Sequence, residues 1–245
     1  MGSKETWVYI ECPEHGKQKV RQRTTAFGRV FTEACPLCPD DGSGVITPED
    51  VKAELMRQRY EDLLFGSGLP REYRTKMFST FEQTEAIHGD IVDTLKDLVE
   101  RDIRTVLLYG STGVGKTHLL ASTVLHASQW WKRSLYVRES DIINEVRATF
   151  GSGGPISVIK KYSNVPILCI DEVDKSYDTE YTKSVMFDIL DSRTANGRKT
   201  VLAGNITGNE FKLKFGDALL SRFAFMGKAF LMTGKDRRKG VQADG

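Results

Sequence analysis

The chain has 245 residues, 40% hydrophobic and 28% charged, with a formal net charge of +2 at pH 7. That balance excludes a low-complexity or strongly charged disordered chain and leaves room for one full-sized domain plus a small appendage. Near-neutral charge means that any nucleic-acid contact must come from a local basic patch. No run approaches the roughly 18 apolar residues of a membrane span, and Trp7-Val8-Tyr9-Ile10 is too short for a signal-peptide core, so a cytoplasmic protein is expected.

Disulfides are rare in that compartment, so the four cysteines need another explanation. Three of them fall into a pattern with a histidine: Cys12-Pro13-Glu14-His15 and Cys35-Pro36-Leu37-Cys38. Two such knuckles supply four soft or borderline ligands, the set that suits tetrahedral Zn²⁺. Pro13, Pro36 and Gly16 are turn residues that fit tight knuckles. Residues 1–44 also hold too few apolar side chains for a core, so a structural metal is expected to fold this module. A closed four-ligand set has no open position and points to no catalysis. Between the knuckles Lys17, Lys19, Arg21 and Arg23 put a cation at every second position, on one face of a strand. This run reads either as a contact for nucleic acid or an acidic partner, or as a solvated face.

Residues 45–82 read as a helix plus a linker that docks on the next domain. Thr47-Pro48-Glu49-Asp50 has a capping residue, proline at the first helical position and acids at the positive dipole end. Val51, Leu55, Tyr60, Leu63 and Leu64 approximate one apolar face, and Gly66 ends the run. Gly68-Leu69-Pro70 is a break, followed by a basic stretch and the aromatic pair Phe78 and Phe81.

The rest, residues 83–245, alternates helical and strand-like segments. A helix over 91–101 precedes an apolar strand over 105–109. Then comes Gly110-Ser111-Thr112-Gly113-Val114-Gly115-Lys116-Thr117, and His118 opens a helical stretch. Strand, glycine-rich turn and helix are the context that the G-x-x-x-x-G-K-[ST] phosphate loop needs. Its backbone N–H groups and the helix N-terminus face phosphate, Lys116 reaches the β- and γ-phosphates, and Thr117 places a hydroxyl on Mg²⁺. Residues 110–118 are therefore the expected ATP-binding set.

A strand over 134–138 and a helix over 141–150 follow. The next strand, 166–170, closes with Asp171-Glu172, the Walker B arrangement. Asp171 is the expected second Mg²⁺ group and Glu172 the residue that polarises attacking water. Cys169 inside that strand reads as a small buried hydrophobe. A helix over 180–195 leads to a strand over 200–204 ending at Asn205, whose amide is placed to hold water or sense the γ-phosphate. Helices follow over 209–215 and 217–223. Alternation of this kind gives an α/β fold with a parallel sheet covered on both faces.

The phosphate loop, Ile170-Asp171-Glu172, Asn205, the segment Gly216-Asp217-Ala218-Leu219-Leu220-Ser221-Arg222 and the run Gly234-Lys235-Asp236-Arg237-Arg238 occur in one order. That order resembles the AAA+ ATPases of the DnaC/DnaI helicase-loader type, over about residues 69–238. The resemblance implies an AAA+ P-loop ATPase fold with a small N-terminal zinc module, in a bacterial or phage-infected cell. It implies that Arg222 is an arginine finger on a neighbouring subunit's γ-phosphate. Arg238 would be a second sensor on its own subunit's nucleotide, with Arg237 as the rival for that role. The zinc module resembles the helicase-binding domain of the DnaI branch and of phage loaders, and departs from the helical N-terminal domain of the DnaC branch.

The family binds single-stranded DNA in a central pore, and the matching positions here are Arg147, Phe150 and Tyr181. Phe150 reads equally as a core residue at the end of an amphipathic helix. The function implied is ATP-dependent delivery of a DnaB-type hexameric helicase onto single-stranded DNA by a homo-oligomeric spiral or ring. The alternatives are an IstB-type transposition helper ATPase and a nonhydrolysing adaptor.

Overall fold

Cations at alternate positions make one wet face and one dry face, and the N-terminal strands pair on that basis. β1 (Lys4–Cys12), β2 (Gly16–Thr24) and β3 (Val30–Thr32) form an antiparallel sheet in the order β1-β2-β3. The hairpin closes at Cys12 opposite Gly16. Val20 is buried while its neighbours Lys19 and Arg21 are exposed, as the expected strand requires. The computed structural model describes residues 4–24, 30–33, 36–37, 48–150, 154–174, 179–234 and 236–237. The chain divides into two units, Met1–Gln58 and Arg59–Gly245.

Helix α1 (Pro48–Phe65) ends before Gly66 as expected; Thr47, the cap expected from the sequence, lies outside the described residues. Its apolar positions do not form the single face expected of them. Tyr60 and Leu64 pack in the core of the second unit, but Val51 and Leu55 are exposed. At about 100° per residue, positions 51 and 55 fall on a different side of the helix from 60, 63 and 64. The linker beyond it does dock: Leu69 and Phe81 are buried in the second unit's core, with Tyr73 and Phe78 packed against it.

The second unit is built on a five-stranded parallel sheet in the order β5-β6-β7-β4-β8. Its strands are β4 (Thr105–Gly110), β5 (Ser134–Arg138), β6 (Ile167–Asp171), β7 (Lys199–Gly204) and β8 (Gly227–Met232). The helices are α2 (Ala86–Glu100), α3 (Lys116–Gln129), α4 (Glu139–Ala148), α5 (Ile156–Asn164), α6 (Glu180–Ala195) and α7 (Gly208–Met226). Alternate strand residues face opposite sides. Val106, Leu108, Ile167, Cys169, Val201 and Ala203 join one buried cluster with α2 and α3. Leu107, Leu168, Ile170 and Leu202 join a second with α4 to α7. Both faces are therefore covered, which is why these strands are nearly all apolar. Among the described residues no helix is long and apolar enough to cross a membrane.

In the second unit, α5 and the edge strand β8 have no counterpart among the elements expected from the sequence. A nine-residue helix and a strand whose partner β4 is far away in sequence leave little local pattern. The two short helices expected around Gly216 are one element broken at that glycine, whose φ of 83° and ψ of 161° lie outside the helical region. Arg193, fully buried in α6, ties the sheet's lower edge: its guanidinium donates to Tyr162 O at 2.6 Å, Val165 O at 2.8 Å and Thr200 Oγ1 at 2.9 Å. Burial lowers its pKa to about 9.

Candidate nucleotide site

The strand order fixes where chemistry can gather. β7 lies between the phosphate-loop strand β4 and the Walker B strand β6, and all three run parallel. Their C-terminal ends therefore open together at one edge of the sheet, the place where open α/β sheets bind ligands. A cleft of about 650 Å³ lies there, lined among others by Thr112, Lys116, Thr117, Asp171, Glu172 and Asn205.

The loop Gly110 to Gly115 turns directly into α3, so Lys116 and Thr117 are the first helical residues. Lys116 is nearly buried and its Nζ donates to Gly110 O and Ser111 O, each at 2.7 Å. The ammonium is thus held at the loop that would carry phosphates. Gly113 has a φ of 82°, and a Cβ there would lie 2.0 Å from Asp236 Oδ1. Only glycine allows the C-terminal segment to close over the loop at this point. Ser111 and Thr112 are exposed, Val114 is buried beneath the loop, and His118 lines the cleft. His118 Nε2 is 2.9 Å from Met77 O, and burial lowers the pKa of the ring, so it stays neutral near pH 7.

Asp171 ends β6 and is 4% exposed. Its Oδ2 accepts from Thr117 Oγ1 at 2.7 Å and from Tyr136 OH at 2.9 Å, and its Oδ1 accepts from the Glu172 N–H at 2.9 Å. None of these three donors carries charge. A buried carboxylate with only neutral partners, beside a hydroxyl, is a hard-oxygen pair that fits Mg²⁺. Glu172 follows in the left-handed region at a φ of 55°, a costly conformation for a non-glycine residue and one that concentrates at functional sites. The next residues brace it. Val173 N donates to Ala203 O at 3.0 Å, Asn205 N donates to Asp174 Oδ1 at 2.8 Å, and Lys214 Nζ donates to Val173 O at 2.6 Å.

Of the two rival C-terminal arginines, Arg237 lines the cleft, and Arg238 lies outside the described residues. Arg237 N donates to Gly113 O at 3.1 Å, and its guanidinium sits 4.5 Å from the Phe81 ring centroid and donates to Glu82 O at 2.7 Å. Arg222 lies apart from this cleft, half exposed on α7 and ion-paired with Asp191.

Phe150 is 58% exposed just beyond α4, which rules out the core reading, and its ring centroid is 5.5 Å from that of Tyr181 at the start of α6. Arg147, in the last turn of α4, is also exposed. Cys169 is fully buried and burial pushes its thiol up to about 12, so it is the inert hydrophobe expected.

For the zinc set, Cys12 Sγ and His15 Nδ1 are 3.7 Å apart. Two ligands of one tetrahedral zinc are about 3.6 Å apart, so this knuckle has the required span. Cys35 and Cys38 lie outside the described residues, and no group of three metal-ligating side chains occurs among those that are described.

Tyr136, Arg138 and Lys214 belong to no local motif of the sequence. Tyr136 and Arg138 enter the cleft because β5 pairs with β6, which puts Arg138 opposite Asp171. That neighbour relation is invisible in a linear chain.

A family described as IstB-like ATP binding protein matches residues 48–228. A protein named replicative helicase loader DnaC, from Buchnera aphidicola subsp. Baizongia pistaciae, is 22% identical over 185 residues, covering 73% of this chain and 75% of its own. A crystal structure of DnaI superposes with a TM-score of 0.60 at 19% identity, over 69% of this chain and 94% of that one. One of the DnaC helicase loader gives 0.60 at 18%, over 67% of this chain and 100% of that one. These likenesses establish the fold, an α/β arrangement with a parallel sheet covered by helices on both faces, as the sequence implied.

Proposed function

Because the chain belongs to the family of IstB-like ATP-binding proteins, we propose that it is an ATP-dependent loader that delivers a DnaB-type replicative helicase onto single-stranded DNA. The observation that carries this reading is the meeting of Thr117 and Asp171 at 2.7 Å in a chain similar to a replicative helicase loader over three quarters of that protein.

Bound Mg-ATP supplies a cleavable γ-phosphate; what the chain's own residues do follows from their positions. Lys116 offers its ammonium to the phosphates in exchange for the Gly110 and Ser111 carbonyls it now holds. Thr117 and Asp171 hold the metal. Glu172, fixed by its neighbours, orients and polarises water, and Asn205 at the tip of β7 holds that water from the other side. Arg237, or Arg238 beside it, reads the nucleotide within the subunit. Arg222 leaves Asp191 to complete the site of an adjoining subunit, so nucleotide state controls how copies stack. Arg147, Phe150 and Tyr181 contact the DNA strand, the rings by stacking on bases. The N-terminal unit grips the helicase and holds Zn²⁺ through Cys12, His15, Cys35 and Cys38; the 3.7 Å span of its first knuckle supports this.

The test is helicase loading. With purified hexameric helicase, single-stranded DNA circles and ATP, loading should depend on this chain. It should fail with K116A, which is expected to lose roughly 100-fold in ATP affinity. R222A should abolish hydrolysis and spare ATP affinity. Loading that proceeds equally without the chain removes the reading. The family's description favours one second reading, an IstB-type transposition helper, and capture of a transposase in place of the helicase would establish it.

A further inference from the structure

We infer that the outward face of the β1–β2 hairpin is a second binding surface for single-stranded nucleic acid, separate from the ATPase-domain residues assigned above. The antiparallel register pairs Trp7 with Arg21, Tyr9 with Lys19 and Glu11 with Lys17. Cross-strand partners share a face, so Trp7 and Tyr9 stand among Lys17, Lys19, Arg21 and Arg23. The opposite face carries Val20 and Cys12, both buried. The two aromatic rings are therefore not part of any core: Trp7 is 60% and Tyr9 63% exposed.

Leaving two large rings in water is unfavourable unless something covers them. The cations around them narrow what that partner is. Lys17 Nζ lies 5.1 Å from the Tyr9 centroid, and Lys19 Nζ and the Arg21 guanidinium lie 5.5 and 5.6 Å from the Trp7 centroid. The rings stand two residues apart on one strand, about 6.8 Å, a step that lets successive bases of an extended strand stack while the β2 cations follow its phosphates. Two acids stand near these cations without matching them in number: Glu11 opposite Lys17, and Glu33 paired with Arg21 at 3.5 Å. A protein-docking patch would also favour tryptophan, tyrosine and arginine, but lysine is depleted from such interfaces. Here lysines stand beside both rings. Bases inside a duplex are not available for stacking, so the surface selects unpaired strands.

The experiment measures anisotropy of a labelled oligothymidylate of about 15 nucleotides with the full-length chain, without nucleotide and with ATP. W7A/Y9A should weaken binding about tenfold or more. K17Q/K19Q, which keeps the rings, should lower the slope of log affinity against log salt by about 1.4. A duplex of equal length should bind more weakly and respond little to W7A/Y9A. Oligonucleotide affinity unchanged in both variants overturns the inference. So does loss of helicase capture by W7A/Y9A at wild-type oligonucleotide affinity, which would mark a protein-docking face. If F150A/Y181A alone weakens DNA binding, this surface is excluded while the loader reading stands.

Discussion

The hydroxyl of Tyr136 donates to Asp171 Oδ2 at 2.9 Å, the same oxygen that accepts from Thr117 at 2.7 Å. Burial and then the Asp171 charge push the tyrosine hydroxyl far above its usual range, so it remains a donor at any working pH. Tyr136 is held in turn: its backbone N–H donates to Ser67 O at 2.7 Å, and its ring meets Tyr73 edge-on with centroids 6.1 Å apart. The linker before the second unit's sheet thus reaches the Asp171 carboxylate through one side chain.

Y136F keeps the ring and deletes that donor. A hydrogen bond to a charged group contributes about 1.5–3 kcal/mol, so the Mg²⁺ concentration for half-maximal ATP hydrolysis should rise about tenfold or more. ATP binding measured without Mg²⁺ should be nearly unchanged. An identical Mg²⁺ titration for Y136F and wild type would show that Tyr136 only fills space.

Arg237 and Arg238 are adjacent in sequence but can be separated by experiment. Arg237 lines the nucleotide cleft and is anchored by Gly113, Phe81 and Glu82. R237A is expected to weaken ATP binding by about tenfold, the value of one charge-assisted contact, and R238A by less. The reverse ranking in a fluorescent-nucleotide titration would give Arg238 the role within the subunit.

Much of this site was legible in the chain because its signals are local. Gly110 to Thr117 needs only a strand before it and a helix after it, and β4 and α3 supply them. Asp171-Glu172 needs only an apolar strand that ends. What the sequence hid depends on pairing between distant segments. β8 is a strand only because β4 offers it an edge, and Tyr136 matters only because β5 lies beside β6. Phe150 shows the limit of periodicity: a helix-end aromatic reads equally as core or surface until the neighbouring Tyr181 is in place.

Lys214 Nζ donates to Glu139 Oε2 at 2.8 Å and to Val173 O at 2.6 Å, with both charged side chains almost fully buried. The pair joins α7 and α4 to the residue after Glu172. K214M leaves a buried carboxylate without its cation and should cost about 3–5 kcal/mol in thermal or denaturant unfolding. K214M/E139L removes both charges and should recover most of that loss. Hydrolysis should remain low in the double variant, since the Lys214 bond to the Val173 carbonyl, one of the braces beside the φ of 55° at Glu172, is then lost. Full activity in K214M/E139L would separate the pair from catalysis and leave it a purely structural one.

Protonation of His88 should weaken the fold in acid. This histidine is buried at the start of α2, and its Nδ1 accepts from the backbone N–H groups of Thr84 and Glu85, each at 3.2 Å. An acceptor nitrogen has no proton, and burial, then the nearby Arg237, lower the pKa of the ring below its usual 6.5. His118 is lowered as well, again chiefly by burial. Below about pH 6.5 the unfolded chain takes up protons at both rings that the folded chain refuses, so the unfolded state binds more protons and stability falls as pH falls. Denaturant unfolding from pH 7.5 down to pH 5 should therefore show a declining midpoint. H88Q should lower stability at pH 7.5 yet flatten that decline, because the amide oxygen can accept one backbone bond and does not titrate. A slope unchanged by H88Q would place the acid sensitivity elsewhere.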